Sequence, residues 1–203
     1  MTTTDGRLAP GFADCTMASQ AVFRLALEAL SRPARPLGAD FGGLFGARPP
    51  MPVTMAALAL ALADGLTPVW LSPSLAEASG WLAFHSSAPR SSPELASLVL
   101  AASPGELPSL TRLRLGSERY PDRSATVILG GVLDGGGGIP VAASGPGILD
   151  RVLFEGHGLD RDFVDAWAAN RALYPLGVDV FLAGPGSLAG LPRSVSLTPF
   201  SGP

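Results

Sequence analysis

Arginine is the sequence's only strongly basic side chain, and Arg32, Arg35, Arg119 and Arg123 stand beside chain-reversal signals. A guanidinium is a planar fork that can meet two oxygens of a phosphate or carboxylate together. These residues are candidates for anion recognition, with exposed ion pairing as the plainer use. Arg32 and Arg35 follow the end of an expected helix, and Arg119 and Arg123 flank Tyr120-Pro121-Asp122, which reads as a turn. Ser144-Gly145-Pro146-Gly147-Ile148 could offer backbone N–H groups to an anion, because glycine permits close approach; a bare turn is the alternative. His85 could act as acid or base, or could simply suit the C-terminal dipole of the helix it closes. His157, in Glu155-Gly156-His157-Gly158, sits in a turn pattern. Cys15 has no base nearby in sequence to make it a nucleophile, so it reads as a small, semi-buried residue.

What is missing narrows the chemistry further. The chain contains no lysine. That closes both the phosphate loop that depends on a lysine and any enzyme whose covalent partner is a lysine amine, pyridoxal phosphate enzymes included. No HExxH, CxxC or GxSxG occurs, and two histidines with one cysteine cannot supply an ordinary structural zinc site. A formal net charge of -3 argues against a broad nucleic-acid surface. The lone cysteine excludes an internal disulfide and fits a reducing, cytoplasmic setting. Nothing resembles a targeting leader, and the longest aliphatic stretch, Met55 to Ala63, is too short to span a bilayer. With 203 residues, 47% of them hydrophobic, the chain is expected to form one domain over residues 1–203 with a substantial core.

The elements that must position these residues follow from periodicity. Residues 1–11 read as a loose arm. Ser19 to Leu30 predicts an amphipathic helix with Val22, Phe23, Ala26, Leu27 and Leu30 inward, stopped by the prolines of Arg32-Pro33-Ala34-Arg35-Pro36. Thr54 is expected to cap a second helix whose apolar body is Met55 to Ala63, with Gly65 as its stop. Ser74 to Phe84 and Arg161 to Leu173 are further helices, the latter with Phe163, Ala166, Trp167 and Asn170 on one face. Short apolar runs at Pro68 to Leu71, Leu95 to Ala102, Ala125 to Val132, Val141 to Ser144, Val178 to Ala183 and Val195 to Leu197 predict strands. Gly135 to Gly138, after Asp134, reads as a flexible turn between two of them. The alternation makes the class α/β.

Taken in order, several blocks resemble one family over roughly residues 11 to 198. They are Gly11-Phe12-Ala13-Asp14, Ser19 to Arg24, Ala29-Leu30-Ser31-Arg32-Pro33, Leu58 to Asp64 and Thr67 to Leu71. Phe84-His85, Ala88-Pro89, Glu118 to Thr126, Gly145 to Ile148, Asn170, Tyr174 to Asp179 and Leu191-Pro192-Arg193 continue the series. The pattern resembles the PhnH family of phosphonate metabolism, the H subunit of the bacterial carbon–phosphorus lyase core complex. Ala34 stands where family members often carry glycine, and Leu37 to Pro50 does not match.

The resemblance implies a mixed sheet sandwiched by helices, similar to the fold of pyridoxal-phosphate-dependent transferases but without the cofactor. It implies a homodimer that joins the G, I and J subunits, with no nucleic acid and no membrane as partner. The complex transfers a phosphonate onto the ribose of ATP, displacing adenine and giving ribose 1-phosphonate 5-triphosphate. The resemblance implies that this chain is an accessory subunit of that synthase, and a chain with one cysteine cannot hold the cluster for the later radical cleavage of the carbon–phosphorus bond. The matching residues suited to a nucleotide or phosphonate ligand are Arg32, Asp64, His85, Tyr120, Asp122, Arg123, Gly145, Gly147, Asn170 and Asp179. Arg32 and Arg123 are the candidates for phosphate oxygens, and Asp122 for positioning Arg123 or a ribose hydroxyl. Two other readings stand beside this one. The first is an independent nucleotide-acting transferase or hydrolase using His85 or Asp122. The second is a ligand-free scaffold homodimer with Met55 to Ala63 as a contact face.

Overall fold

The first helix, α1 (Cys15–Ser31), starts where the Asp14 carboxylate accepts a hydrogen bond from the Met17 N–H at 3.0 Å, satisfying a donor the helix cannot. It ends two residues before Pro33, with the N–H of the capping Arg32 still donating to the Glu28 carbonyl. The computed structural model describes residues 9–133, 135, 137–156 and 158–200. Most of the expected arm, along with Asp134, Gly136 and His157, lies outside them. The buried stripe of α1 is Ala18, Val22, Ala26 and Ala29, with Leu30 partly buried beside it, so Val22, Ala26 and Leu30 face inward as expected and Phe23 and Leu27 do not. Phe23 and Leu27 are 48% and 52% exposed. Small side chains face inward because the helix backbone approaches the sheet closely: a Cβ on Gly190 would stand 2.5 Å from the Ala29 carbonyl oxygen. Cys15 is exposed as the first residue of α1, which corrects the semi-buried reading.

A short strand, β1 (Leu37–Gly38), precedes α2 (Val53–Leu62). Thr54 does not cap α2, whose N-cap is Pro52. The Thr54 side chain is buried in the first turn, and its hydroxyl donates to the Gly184 carbonyl at 2.6 Å. Met55 to Ala59 are fully enclosed in the chain's own core, so this stretch offers no free contact face over those residues. β2 (Val69–Leu71) leads into the helix expected over 74–84, which divides into a 3-10 segment, Pro73–Ala78, and α3 (Ser79–Ser86). The chain continues through β3 (Leu98–Ala101), β4 (Leu115–Ser117), β5 (Tyr120–Ser124), β6 (Thr126–Gly130), β7 (Val141–Ser144) and β8 (Val152–Phe154). It closes with α4 (Arg161–Ala172), β9 (Asp179–Gly184), β10 (Ser187–Leu191) and β11 (Ser196–Pro199).

The class is mixed α/β, as expected. A six-stranded sheet runs in the order β1-β10-β9-β6-β3-β2, with β9, β6, β3 and β2 parallel and β10 antiparallel to its neighbours. Alternate residues of its central strands face two different cores. Phe181 and Ala183 join α1, α2 and α3 on one face, while Val180 and Leu182 meet α4 on the other. Helices alone do not cover that second face. A three-stranded antiparallel sheet, β11-β7-β8, shares it through Val141, Ala143 and Leu197. On α4 the inward residues are Phe163, Val164, Trp167 and Asn170, so Val164 takes a fully buried place and Ala166 is half-buried. β4 and β5 form a separate two-stranded hairpin at the start of β6. The reversal falls at Glu118-Arg119, which corrects the turn expected at Tyr120 to Asp122. Among the described residues, no helix is long and apolar enough to cross a membrane.

Candidate functional site

Most of the residues singled out by type converge on one edge of the large sheet, where the parallel strands begin. Asp179 opens β9, and its carboxylate is held by Arg193, which follows β10. Arg193 Nε reaches Asp179 Oδ1 at 3.1 Å and Nη2 reaches Oδ2 at 2.6 Å, while the Arg193 N–H donates to the same Oδ1 at 2.8 Å. The remaining guanidinium donors go to the carbonyls of Pro121 and Pro175 and to the Ser124 hydroxyl. One side chain thus ties the hairpin strand β5, the turn before β9 and the exit of β10 to a single point. Asp179 is fully engaged in this knot, and sequence reasoning did not pick out Arg193 as its partner. The pair is separated by fourteen positions, and no local spacing rule joins them.

Asn170, in the last turn of α4, is fully buried. Its amide donates to the Val178 carbonyl at 3.0 Å and accepts from the Val178 N–H at 2.9 Å. That two-way pairing orders the segment leading into Asp179, so Asn170 acts on the edge by holding backbone. Gly145 and Gly147 also serve close packing, both with positive φ, +140° and +84°. A Cβ on Gly147 would lie 2.6 Å from the Ser31 carbonyl oxygen, and one on Gly145 would lie 3.1 Å from that of Ser194. The Gly-Pro-Gly turn is therefore wedged between the end of α1 and the residue after Arg193, beside Arg32. Arg32 itself is exposed and pairs with Glu28 at 3.2 Å along α1.

The hairpin carries a different arrangement. The Tyr120 ring has the Arg123 guanidinium carbon 4.0 Å from its centroid and that of Arg119 at 5.3 Å. All three side chains are exposed, and among the described residues neither arginine makes an ion pair. Asp122 lies on the same strand and is exposed, but it does not pair with Arg123.

Asp64 and His85 share no hydrogen bond or ion pair with these residues. Asp64 closes the turn after α2: its carboxylate accepts from the Thr67 hydroxyl at 2.8 Å and the Leu66 N–H at 2.9 Å. Those bonds, the Thr67 hydroxyl first, hold its carboxyl below the usual range. His85 Nε2 lies 2.9 Å from the Ala9 carbonyl, which also accepts from Trp81 Nε1 at 2.9 Å. The imidazole packs against Trp81 and Phe84 and so fastens the entering chain to α3.

The opposite edge of the sheet holds a cleft of about 630 Å³ at the carboxyl ends of β3, β6 and β9, lined by Arg48, Met51, Val53, Gly130, Gly131 and Pro185 among others. Open parallel sheets commonly take ligands at that edge. None of the residues chosen from sequence lines it. Among the described residues, no three His, Cys, Asp or Glu side chains converge as metal ligands.

Residues 10–198 match the family described as bacterial phosphonate metabolism protein (PhnH). The chain belongs to the PhnH family. A curated relative from Rhizobium meliloti (strain 1021), named alpha-D-ribose 1-methylphosphonate 5-triphosphate synthase subunit PhnH, is 37% identical across 92% of this chain and 93% of its own length. The blocks that carried the resemblance can now be read structurally. Several of them, Glu118 to Thr126, Gly145 to Ile148, Asn170, Tyr174 to Asp179 and Leu191 to Arg193, build the amino edge of the sheet and the Arg193 knot. Ala34 has a φ of 57°, a left-handed conformation that glycine adopts without steric cost.

Proposed function

We propose that this chain is an accessory subunit of an alpha-D-ribose 1-methylphosphonate 5-triphosphate synthase within the carbon–phosphorus lyase core, inactive by itself. The reaction is transfer of a phosphonate onto the ribose of ATP with loss of adenine. The observation that carries this reading is the 37% identity to a relative bearing that name over nearly the whole of both chains. The side-chain chemistry supports it. Asp64, His85, Asn170 and Asp179 each have intramolecular partners, and no acid–base pair forms among the candidate residues. Arg32, Tyr120, Asp122 and Arg123 remain exposed on the amino edge, where they would face another subunit or the substrate it holds.

On this reading the partners are the G, I and J subunits and a second copy of this chain, the setting is cytoplasmic, and the chain works as one domain. Its two cores packed on opposite faces of one sheet support the last point. We also read the fold as a cofactor-free relative of the pyridoxal-phosphate-dependent transferase scaffold, in keeping with a sequence that holds no lysine. The test is adenine release from ATP and methylphosphonate. The isolated chain should release none, and the reconstituted complex should lose activity when this chain is omitted. Release by the isolated chain, with an equal rate in its absence from the complex, would overturn the accessory role.

A further inference from the structure

We propose that Arg119, Tyr120 and Arg123 form a preorganised docking tip that grips surface carboxylates of a protein partner in the synthase. The inference rests on the subunit reading above and names the chemistry of one contact within it.

The hairpin β4–β5 is a two-stranded sheet of its own, paired with no strand of the other two sheets. Its base is immobilised by Arg193, through the Pro121 carbonyl and the Ser124 hydroxyl. Beside these anchor points the Arg123 guanidinium lies 4.0 Å from the Tyr120 ring centroid, with Arg119, at the reversal, at 5.3 Å. A guanidinium lying over an aromatic face spends none of its N–H donors on the ring. The stacking therefore fixes the rotamer while the in-plane fork stays open to a carboxylate. Neither fork is occupied within the described chain, although Glu118 and Asp122 are close in sequence. Two free arginines on a clamped ribbon, in a chain of net charge -3, suit a partner whose contact surface is locally acidic. Tyrosine and arginine are also the residue types that dominate protein–protein contact energies. A protein carboxylate is preferred to a phosphate ligand here because all three side chains are exposed and not enclosed by neighbouring groups. Small-ligand sites are concave.

The experiment measures the affinity of this chain for the assembled remaining subunits, with variants at the tip. Arg119→Ala/Arg123→Ala should weaken binding by about 10- to 100-fold while leaving the thermal midpoint unchanged, because both side chains are exposed. Arg119→Lys/Arg123→Lys should recover little of the loss, since an ammonium lacks the fork. Tyr120→Phe should stay within about twofold of the native chain and Tyr120→Ala should not, because the ring and not the hydroxyl orders the arginines. Native-like binding by the double alanine variant would overturn the docking tip alone. Displacement by millimolar inorganic phosphate at fixed ionic strength would assign the forks to a phosphate ligand and also overturn it. Failure of the native chain to bind the other subunits would overturn the tip and the subunit reading together.

Discussion

Arg193 and Asp179 form a two-point ion pair, Nε to Oδ1 and Nη2 to Oδ2, and the same guanidinium donates to two backbone carbonyls and a hydroxyl. Both side chains are mostly enclosed, at 13% and 25% exposure. Removing one member leaves the other with an unmet charge in a poorly solvated place. Arg193→Ala should destabilise the chain by about 2–4 kcal/mol in urea unfolding, toward the lower part of the range because water still reaches the pair. Arg193→Lys should restore less than half of that, since a point charge cannot hold both carboxylate oxygens and the carbonyls together. A loss below 0.5 kcal/mol for the alanine variant, taking about 0.5 as the ordinary surface-substitution scatter, would remove the knot from the account.

Asn170 is a second structural pin. Asn170→Ala would leave the buried N–H and carbonyl of Val178 without side-chain partners, and should cost about 2–3 kcal/mol. Amide exchange at Val178 should rise in parallel, because its N–H would lose its acceptor.

The Gly-Pro-Gly turn offers a steric test. Gly147→Ala would place a methyl 2.6 Å from the Ser31 carbonyl oxygen at a φ of +84°, so the thermal midpoint should fall by several degrees. Gly65→Ala is the control: its Cβ would meet only Ser87 atoms, 3.8 Å away or farther. That variant should stay within about 0.5 kcal/mol of the native chain.

Glu106 predicts a pH signature. The Ser74 N–H, at 3.0 Å, is the main cause that holds its carboxyl below the usual range. A depressed folded value means stability is present above the unfolded value and is lost as pH falls through the folded one. In thermal melts across neutral to acid pH, Glu106→Gln should melt lower than the native chain at neutral pH. The difference should vanish at acid pH, below the carboxylate range. A constant offset at all pH values would exclude the charged hydrogen bond as its origin.

The apolar periods of the sequence led to most helices and to every parallel strand, because burial on one or both faces decides those elements. β10 escaped notice because Ser187-Leu188-Ala189-Gly190-Leu191 has little intrinsic strand character. It is a strand because β9 pairs with it and because Gly190 lets α1 come close. Tyr120-Pro121-Asp122 looked like a turn for its proline, yet proline is tolerated in a two-stranded edge ribbon. Thr54 had the chemistry of a cap, but tertiary contact with the Gly184 carbonyl claimed its hydroxyl. Asn170 and Asp179 were visible as matching residues, while their roles depended on Val178 and Arg193, partners that only the fold brings near. Arg32 and Arg123 were visible as fork-bearing side chains; the stacking on Tyr120 was not.

The central claim is that the chain works inside a larger synthase, and co-expression with the G, I and J subunits followed by native mass determination tests it most directly. The account predicts a stable assembly in which this chain is present at fixed stoichiometry. Assembly of the other subunits without it, while it remains alone in solution, would contradict the account.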